Sequence, residues 1–342
     1  MSAVTGIAAA GNGQEMYAGR ILAYDGLGQR LAKGVPAKDW RKVLDAANLN
    51  FRFHKDDVQD MAGNVIEGQQ VVYREVVGGP NDGQRKHVGI VKMRHSLDGS
   101  QPEQMMEAAA LANPGGTFET AGMLEKNCRL WVQMSGGDEL VIDPKGANDR
   151  VGNYFTVTTM PNGDGATLFG DAFVRFNCTN VITSAIRGSD WLFRIRHTQS
   201  HADRVTAAVK AIAAARTHRE IAAATFTELF ETAFSTKQFE NVVTTLHGAR
   251  PEDNVKGRLT KWETMRDQHM WAWNAAHNAA IRETAWGAWQ SVLEVSQWMR
   301  TMQDTPHGRE NFYAAGAGFD GPTNDLRRKS LVLVGARAGV KV

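Results

Sequence analysis

The hydrophobic pattern of this 342-residue chain changes character near residue 197. Before that point, short runs such as 70–77, 86–93 and 129–134 are rich in Val, Ile and aromatic residues, which is typical of β-strands separated by turns. After it, apolar residues recur every three or four positions, as they do on a helix face. The pattern therefore predicts an α+β fold, with an N-terminal half of mixed helices and antiparallel sheet followed by an all-helical half.

Turn-forming residues separate the first helices and strands, so the order of these elements can be predicted. Apolar residues have helical spacing over 36–48, and residues 51–53 alternate as in a strand. The Gly- and Pro-containing run 78–83 separates two Val-rich runs and predicts a β-hairpin. A helix over 102–112 follows and is ended by Pro and Gly. The expected order is helix, strand, hairpin, helix.

Composition along the chain suggests four parts. We expect a flexible Gly-rich arm over 1–19, an α+β domain over 20–196, a helical region packed on it over 197–303, and a Gly-rich, basic segment over 304–342. The last part allows two interpretations. Basic tails bind nucleic acid nonspecifically, whereas the apolar run 331–334 would let this segment dock as a strand or a helix.

Composition also argues against a highly basic protein, a membrane-spanning protein and a disulfide-rich secreted protein. The formal net charge is +2, so any contact with nucleic acid needs a local basic patch. No run of about 18 apolar residues occurs, and the first residues lack the pattern of a secretory signal. We therefore expect no membrane partner. Two cysteines are too few for a disulfide framework, which favours a reducing, cytoplasmic setting.

Four phrases of the sequence resemble a known family. They are Phe118-Glu-Thr-Ala-Gly-Met-Leu124, Phe173-Val-Arg-Phe-Asn-Cys-Thr-Asn180, Ile195-Arg-His-Thr198 and Thr284-Ala-Trp-Gly-Ala-Trp289. In this order they resemble the phage/plasmid-like family catalogued as domain of unknown function 932, over most of the chain. The resemblance implies a phage or plasmid gene that is expressed in the cytoplasm of a bacterial host cell. The family has no established activity, so the resemblance assigns no catalytic residue.

A basic segment begins where the strands give way to helices. Between residues 187 and 220, seven Lys and Arg residues stand against three acidic ones, a net charge of +4. Such a row of cations can neutralise a phosphate backbone, and neighbouring aromatic rings can stack on unpaired bases. A solvated helix face is the alternative interpretation. The predicted nucleic-acid contacts are Arg187, Trp191, Phe193, Arg194, Arg196, Arg204 and Lys210.

A second set of polar residues contains the groups needed for thiol catalysis. Cys178 would be the nucleophile, His197 its base and Asn180 the orienting group, with Arg175 as a further member. The set works only if its members meet in space. Otherwise Cys178 is a small buried residue, which is the common location of a free cysteine. A pair of histidines without a third ligand is a weak signal, so no metal or cofactor is predicted.

Six of the nine tryptophans lie between residues 262 and 298. Such a stripe on helices most often forms the core of a helical layer, because each indole buries a large apolar area. The alternative is a set of exposed platforms on which bases stack.

Single-stranded DNA is the partner that these patterns favour. The helix, strand, hairpin, helix order over 36–112 looks like the core order of phage single-strand annealing proteins, and the basic segment follows it. The predicted function is a phage or plasmid DNA-metabolism protein that binds single strands and anneals them, as a homo-oligomer. Two other hypotheses stay open: an enzyme that uses Cys178 and His197, and a protein that interacts with a host defence system.

Overall fold

The computed structural model describes residues 9–10, 13–14, 16–18, 37–92, 101–124, 128–135, 139–142, 146–162, 165–175, 180–183, 193–198, 200–214, 217–299 and 321–342. It confirms the α+β class, because antiparallel sheets and helices make up the N-terminal half and the C-terminal half is helical. None of the helices within these ranges is long and apolar enough to cross a membrane.

The elements are numbered in chain order. The strands are β1 (Ala9–Ala10), β2 (Gly13–Gln14), β3 (Met16–Ala18), β4 (Phe51–Gln59), β5 (Val65–Val76), β6 (Arg85–Lys92), β7 (Phe118–Met123), β8 (Leu130–Ser135), β9 (Leu140–Ile142), β10 (Asp149–Thr159), β11 (Thr167–Arg175), β12 (Asn180–Thr183) and β13 (Phe193–Ile195). The helices are α1 (Trp40–Ala46), α2 (Pro102–Ala112), α3 (His201–Ala214), α4 (Thr217–Glu231), α5 (Thr236–His247), α6 (Arg258–Asn274), α7 (Ala285–Trp298) and α8 (Gly321–Ala338). Short 3-10 turns at Val255–Gly257 and Ala276–Asn278 flank α6.

The predicted helix, strand, hairpin and helix are confirmed and form one unit. Strands β4, β5 and β6 pair in that order as an antiparallel meander, and helices α1 and α2 pack together beside it. Gln101, just before α2, ties that helix to the meander. Its side-chain oxygen accepts from the backbone N–H of Phe53 at 2.7 Å, and its amide group donates to the carbonyl of Phe53 at 3.0 Å.

An antiparallel sheet of eight strands lies at the centre of the molecule. Its order is β12–β11–β10–β8–β7–β3, with β13 also paired to β11 and β9 to β10. Residues opposite one another on antiparallel neighbours share a face, so the register places Val132, Val157 and Phe169 side by side. With α1, α2, α3 and the inner face of the meander, these side chains form the first hydrophobic core.

The helical half packs on the other end of the same sheet face. Phe173 lies four residues after Phe169 on β11 and so points to the same side. Its ring meets that of Phe226 on α4 edge-on, with centroids 5.4 Å apart, and Phe226 in turn contacts Trp286 of α7 at 4.9 Å. Together with α5 and α8 they form a second core.

Most of the described tryptophans in the C-terminal cluster are core residues. Trp273, Trp286 and Trp289 are buried, whereas Trp271 is 55% exposed. The basic C-terminal residues belong to a docked helix, because α8 packs on α7 and α5 and buries Leu331. A capping box formed by Ser235 and Gln238 begins α5.

Helix α7 begins directly after Thr284, whose side chain caps its first turn. The Thr284 hydroxyl accepts a hydrogen bond from the N–H of Gly287 at 2.9 Å and donates to the carbonyl of Ile281 at 2.6 Å. A Cβ atom at position 287 would lie 2.1 Å from that same carbonyl oxygen. Glycine is therefore required for the preceding turn to lie this close to the helix.

Replacing Gly287 with Ala should lower the free energy of unfolding by about 1–3 kcal/mol, the usual cost of overpacking a buried site. The obstructing atom is backbone, so it cannot rotate away as a side chain would. Urea unfolding of the variant and the parent would show a lower midpoint with a similar slope. An unchanged midpoint would show that the turn can move at little cost.

His269 on α6 is a buried histidine whose titration is altered. It is 1% exposed, its Nδ1 donates to the carbonyl of Met265 at 2.8 Å, and its ring meets that of His247 edge-on with centroids 5.0 Å apart. Burial lowers the pKa of His269 to about 4. Burial and the nearby positive charge of Lys329 also lower the pKa of His247.

This burial makes stability depend on pH. An ordinary histidine has a pKa of about 6.5, so between pH 6.5 and 4 the unfolded chain binds a proton at position 269 while the folded protein does not. The free energy of unfolding should therefore fall below pH 6.5, by at most about 1.4 kcal/mol per pH unit from this group. Urea unfolding at pH 7.5 and pH 5 should show a smaller loss for His269→Leu than for the parent. Equal losses would contradict the assignment.

Candidate functional site

The described part of the predicted basic segment carries three exposed arginines, Arg194, Arg196 and Arg204, which we call the arginine strip. Strand β13 alternates in burial: Ile195 enters the first core, whereas the arginines on either side of it are exposed. Arg204 is exposed in the first turn of α3, which follows the strand. The strip therefore presents its guanidinium groups to solvent.

The other predicted nucleic-acid contacts are placed differently. Phe193 is half-buried and packs against the first core, so most of its ring is engaged within the protein. Lys210 belongs to α3, but its side chain is not among the described groups. Arg187 and Trp191 lie outside the described residues.

The residues of the thiol hypothesis do not all come together. The Nε2 atom of His197 lies 3.2 Å from the hydroxyl of Thr159 and 3.5 Å from that of Thr167, at the beginning of β11. Arg175 ends the same strand, eight residues later, which corresponds to roughly 26 Å along an extended chain. Asn180 is the direct partner of Arg175 across β11 and β12, and Cys178 lies outside the described residues.

Arg175 is instead the centre of a buried charge network. Its guanidinium is completely buried, and its Nε donates to both carboxylate oxygens of Asp149, at 2.8 and 2.9 Å. The indole N–H of Trp286 donates to the same carboxylate at 2.7 Å. Strand β10 supplies the aspartate, β11 the arginine and α7 the tryptophan. The network therefore joins the sheet to the helical half.

A second carboxylate extends this network toward the surface. Arg175 donates to the side-chain oxygen of Asn278 at 2.6 Å, and the amide group of Asn278 donates to Glu294 at 2.9 Å. Glu294 is 6% exposed and also bonds the Nε2 atom of His277, at 2.9 and 3.0 Å from its two oxygens. The imidazole of His277 is 35% exposed, so the chain of contacts ends at solvent.

These partners of Arg175 were missed by the sequence reasoning. Asp149, Asn278 and Glu294 belong to no motif, and more than a hundred residues separate the first from the other two. The only local signal was Arg175 itself, an arginine within an apolar strand pattern. Within the described ranges, no three His, Cys, Asp or Glu side chains are grouped so as to hold a metal ion.

Removing the carboxylate of Asp149 should destabilise the protein strongly. Asp149→Ala leaves the guanidinium of Arg175 buried without its counter-charge, which typically costs about 3–5 kcal/mol. The matched control is Glu263→Ala, which breaks the exposed ion pair with Arg250 and should cost about 1 kcal/mol or less. Urea unfolding of both variants gives the comparison. A similar small loss for both would show that the buried pair is not needed for stability.

Comparisons with known proteins agree with the sequence resemblance. Residues 91–315 match the family model described as Domain of unknown function (DUF932). This match covers more than half of the chain and includes all four phrases. No curated protein matches the chain, and no solved structure matches it. Two of the phrases contribute to the buried network, one through Arg175 and the other through Trp286. The chain belongs to the DUF932 family.

Proposed function

We propose that this protein binds single-stranded DNA through the arginine strip and promotes the annealing of complementary strands. The observation that carries the proposal is the exposure of all three arginines of the strip within a short length of chain. None of the ion pairs formed between described residues involves them. Their charges are therefore available to an anionic ligand.

The spacing of the strip suits an extended phosphate backbone. Arg194 lies on β13 and Arg196 directly follows the strand, and two residues of extended chain span roughly 6.6 Å. Neighbouring phosphates of a stretched single strand have a comparable separation. Between residues 193 and 210 there are four Lys and Arg residues and one acidic residue, a net charge of +3. This excess favours DNA over a cationic or neutral partner.

The order of the first elements also supports the annealing proposal. Helix α1, the β4–β5–β6 meander and helix α2 follow one another in the order expected of phage single-strand annealing proteins. This support is an analogy of fold. Annealing requires charge neutralisation and base presentation but breaks no bond, so the proposal needs no cofactor. A homo-oligomer, a phage or plasmid origin and a place in the bacterial cytoplasm belong to the same proposal.

Removing two charges from the strip should weaken DNA binding in a salt-dependent way. For Arg194→Ala/Arg196→Ala, binding of a fluorescent single strand should weaken at low salt. The slope of log K against log salt should also become shallower by about 1.4, since each phosphate contact on a single strand contributes about 0.7. Fluorescence anisotropy across a salt series measures both quantities.

The control variant is Arg250→Ala/Arg258→Ala, which removes the same charge from exposed positions outside the strip. It should keep the parent's affinity and slope within error. Equal weakening by both double variants would show a general charge effect and would contradict the site. Absence of any single-strand binding by the parent protein at low salt would contradict the proposed function itself.

A further inference from the structure

An open groove of about 640 Å³ lies at the C-terminal end of α6. It is lined by Asp267, Met270, Trp271, Asn274, Ala275, Ala276 and His277, and we call it the α6 groove. This volume is within the range of small-ligand sites. Trp271 forms an exposed aromatic wall, and its ring centroid lies 6.3 Å from that of His277.

The buried network determines which hydrogen-bonding atoms the groove offers. The Nε2 atom of His277 lies 2.9 and 3.0 Å from the two carboxylate oxygens of Glu294, so this nitrogen carries a proton and donates it inside the protein. Asn274 donates its amide N–H to the carbonyl of Met270 at 2.8 Å, which leaves its side-chain oxygen as an acceptor. Two donors of the lining residues are therefore used inside the protein.

The charged groups around the groove also favour a ligand that carries hydrogen-bond donors. Asp267 contributes a carboxylate that is 72% exposed, and no Lys or Arg is among the described residues that line the groove. Arg266 lies 3.8 Å from Asp267, but both groups are exposed, so this pair is weak. Arg282, in the turn before α7, donates to the carbonyls of Trp273 and Asn274, the last residues of α6, at 3.2 and 2.7 Å.

The geometry points to a site in the α6 groove for an organic cation, an alkylammonium or guanidinium group. Both groups carry only donors, which complements the carboxylate of Asp267 and the side-chain oxygen of Asn274. The face of an indole is the aromatic surface that attracts a cation most strongly. The cation is either a free polyamine or the side chain of a Lys or Arg in a peptide. This site is independent of the proposed DNA binding, because none of the residues that line the groove belongs to the arginine strip.

Protein NMR titrations test this site directly. The probes are N-acetyl-arginine amide, its neutral isostere N-acetyl-citrulline amide, and spermidine, each followed through the indole N–H signal of Trp271 at low salt. The absence of that signal in Trp271→Phe assigns it. We expect saturable shifts with a cation and at least tenfold weaker binding of the citrulline compound. Tighter binding of spermidine would identify a free polyamine as the ligand, and tighter binding of the arginine compound would identify a peptide side chain.

Two variants of α6 separate the groove from general charge effects. Asp267→Asn should weaken binding of the cation at least threefold, because it removes the exposed carboxylate of the groove. Glu263→Gln makes the same charge change on the same helix, outside the groove, and should leave the affinity unchanged. Equal affinity for the arginine and citrulline compounds, no shift with either cation, or equal effects of the two variants would overturn the proposal. Each of these results leaves the affinity for single-stranded DNA unaffected.

Discussion

The buried pair of Asp149 and Arg175 is the interaction on which the assembly of this protein depends. A charge removed from water is tolerated only when it is paired and its hydrogen-bonding capacity is used. Here Asp149 receives bonds from Arg175 and from the indole of Trp286, and Arg175 also donates to Asn278. The bonds of the pair to Trp286 and Asn278 come from the helical half, so the pair is hydrogen-bonded across both halves.

The two hydrophobic cores follow from the same arrangement. One face of the central sheet supplies Phe169 to the first core and Phe173 to the second. Helices α1, α2 and α3 cover one end of this face, and the later helices cover the other end. Helix α7 is buried along nearly its whole length, which explains why it carries both large indoles and polar side chains with partners inside the protein. The network thus connects the sheet, through α7, to a histidine at the surface.

The proposed binding surfaces have opposite electrostatic character. The arginine strip is exposed because β13 alternates, so the residues next to buried Ile195 face solvent. The α6 groove presents acceptors because Glu294 and the helix backbone use the donors of its polar side chains. One surface suits a polyanion and the other an organic cation. The two proposed surfaces would therefore not compete for the same ligand.

Local patterns in the sequence were sufficient for much of the fold. Alternation and helical periodicity predicted the α+β class, the hairpin and the helix over 102–112, because these features depend on interactions between near neighbours in the chain. Four short phrases of the sequence also predicted membership of the DUF932 family. The exposure of Arg194 and Arg196 agrees with the alternation of a short strand. The sequence alone thus determined the types of element and their order.

Only the tertiary structure decided which polar residues meet. It separated His197 from Arg175 by the length of β11. It brought Asp149 and Asn278 to that arginine, and Glu294 to Asn278, from distant parts of the chain. It also distinguished exposed Trp271 from buried Trp273, two residues away on the same helix. Contacts between distant residues depend on how the sheet and the helices pack. The periodicity of a sequence indicates only that a residue faces a core, and it does not indicate which residue lies opposite.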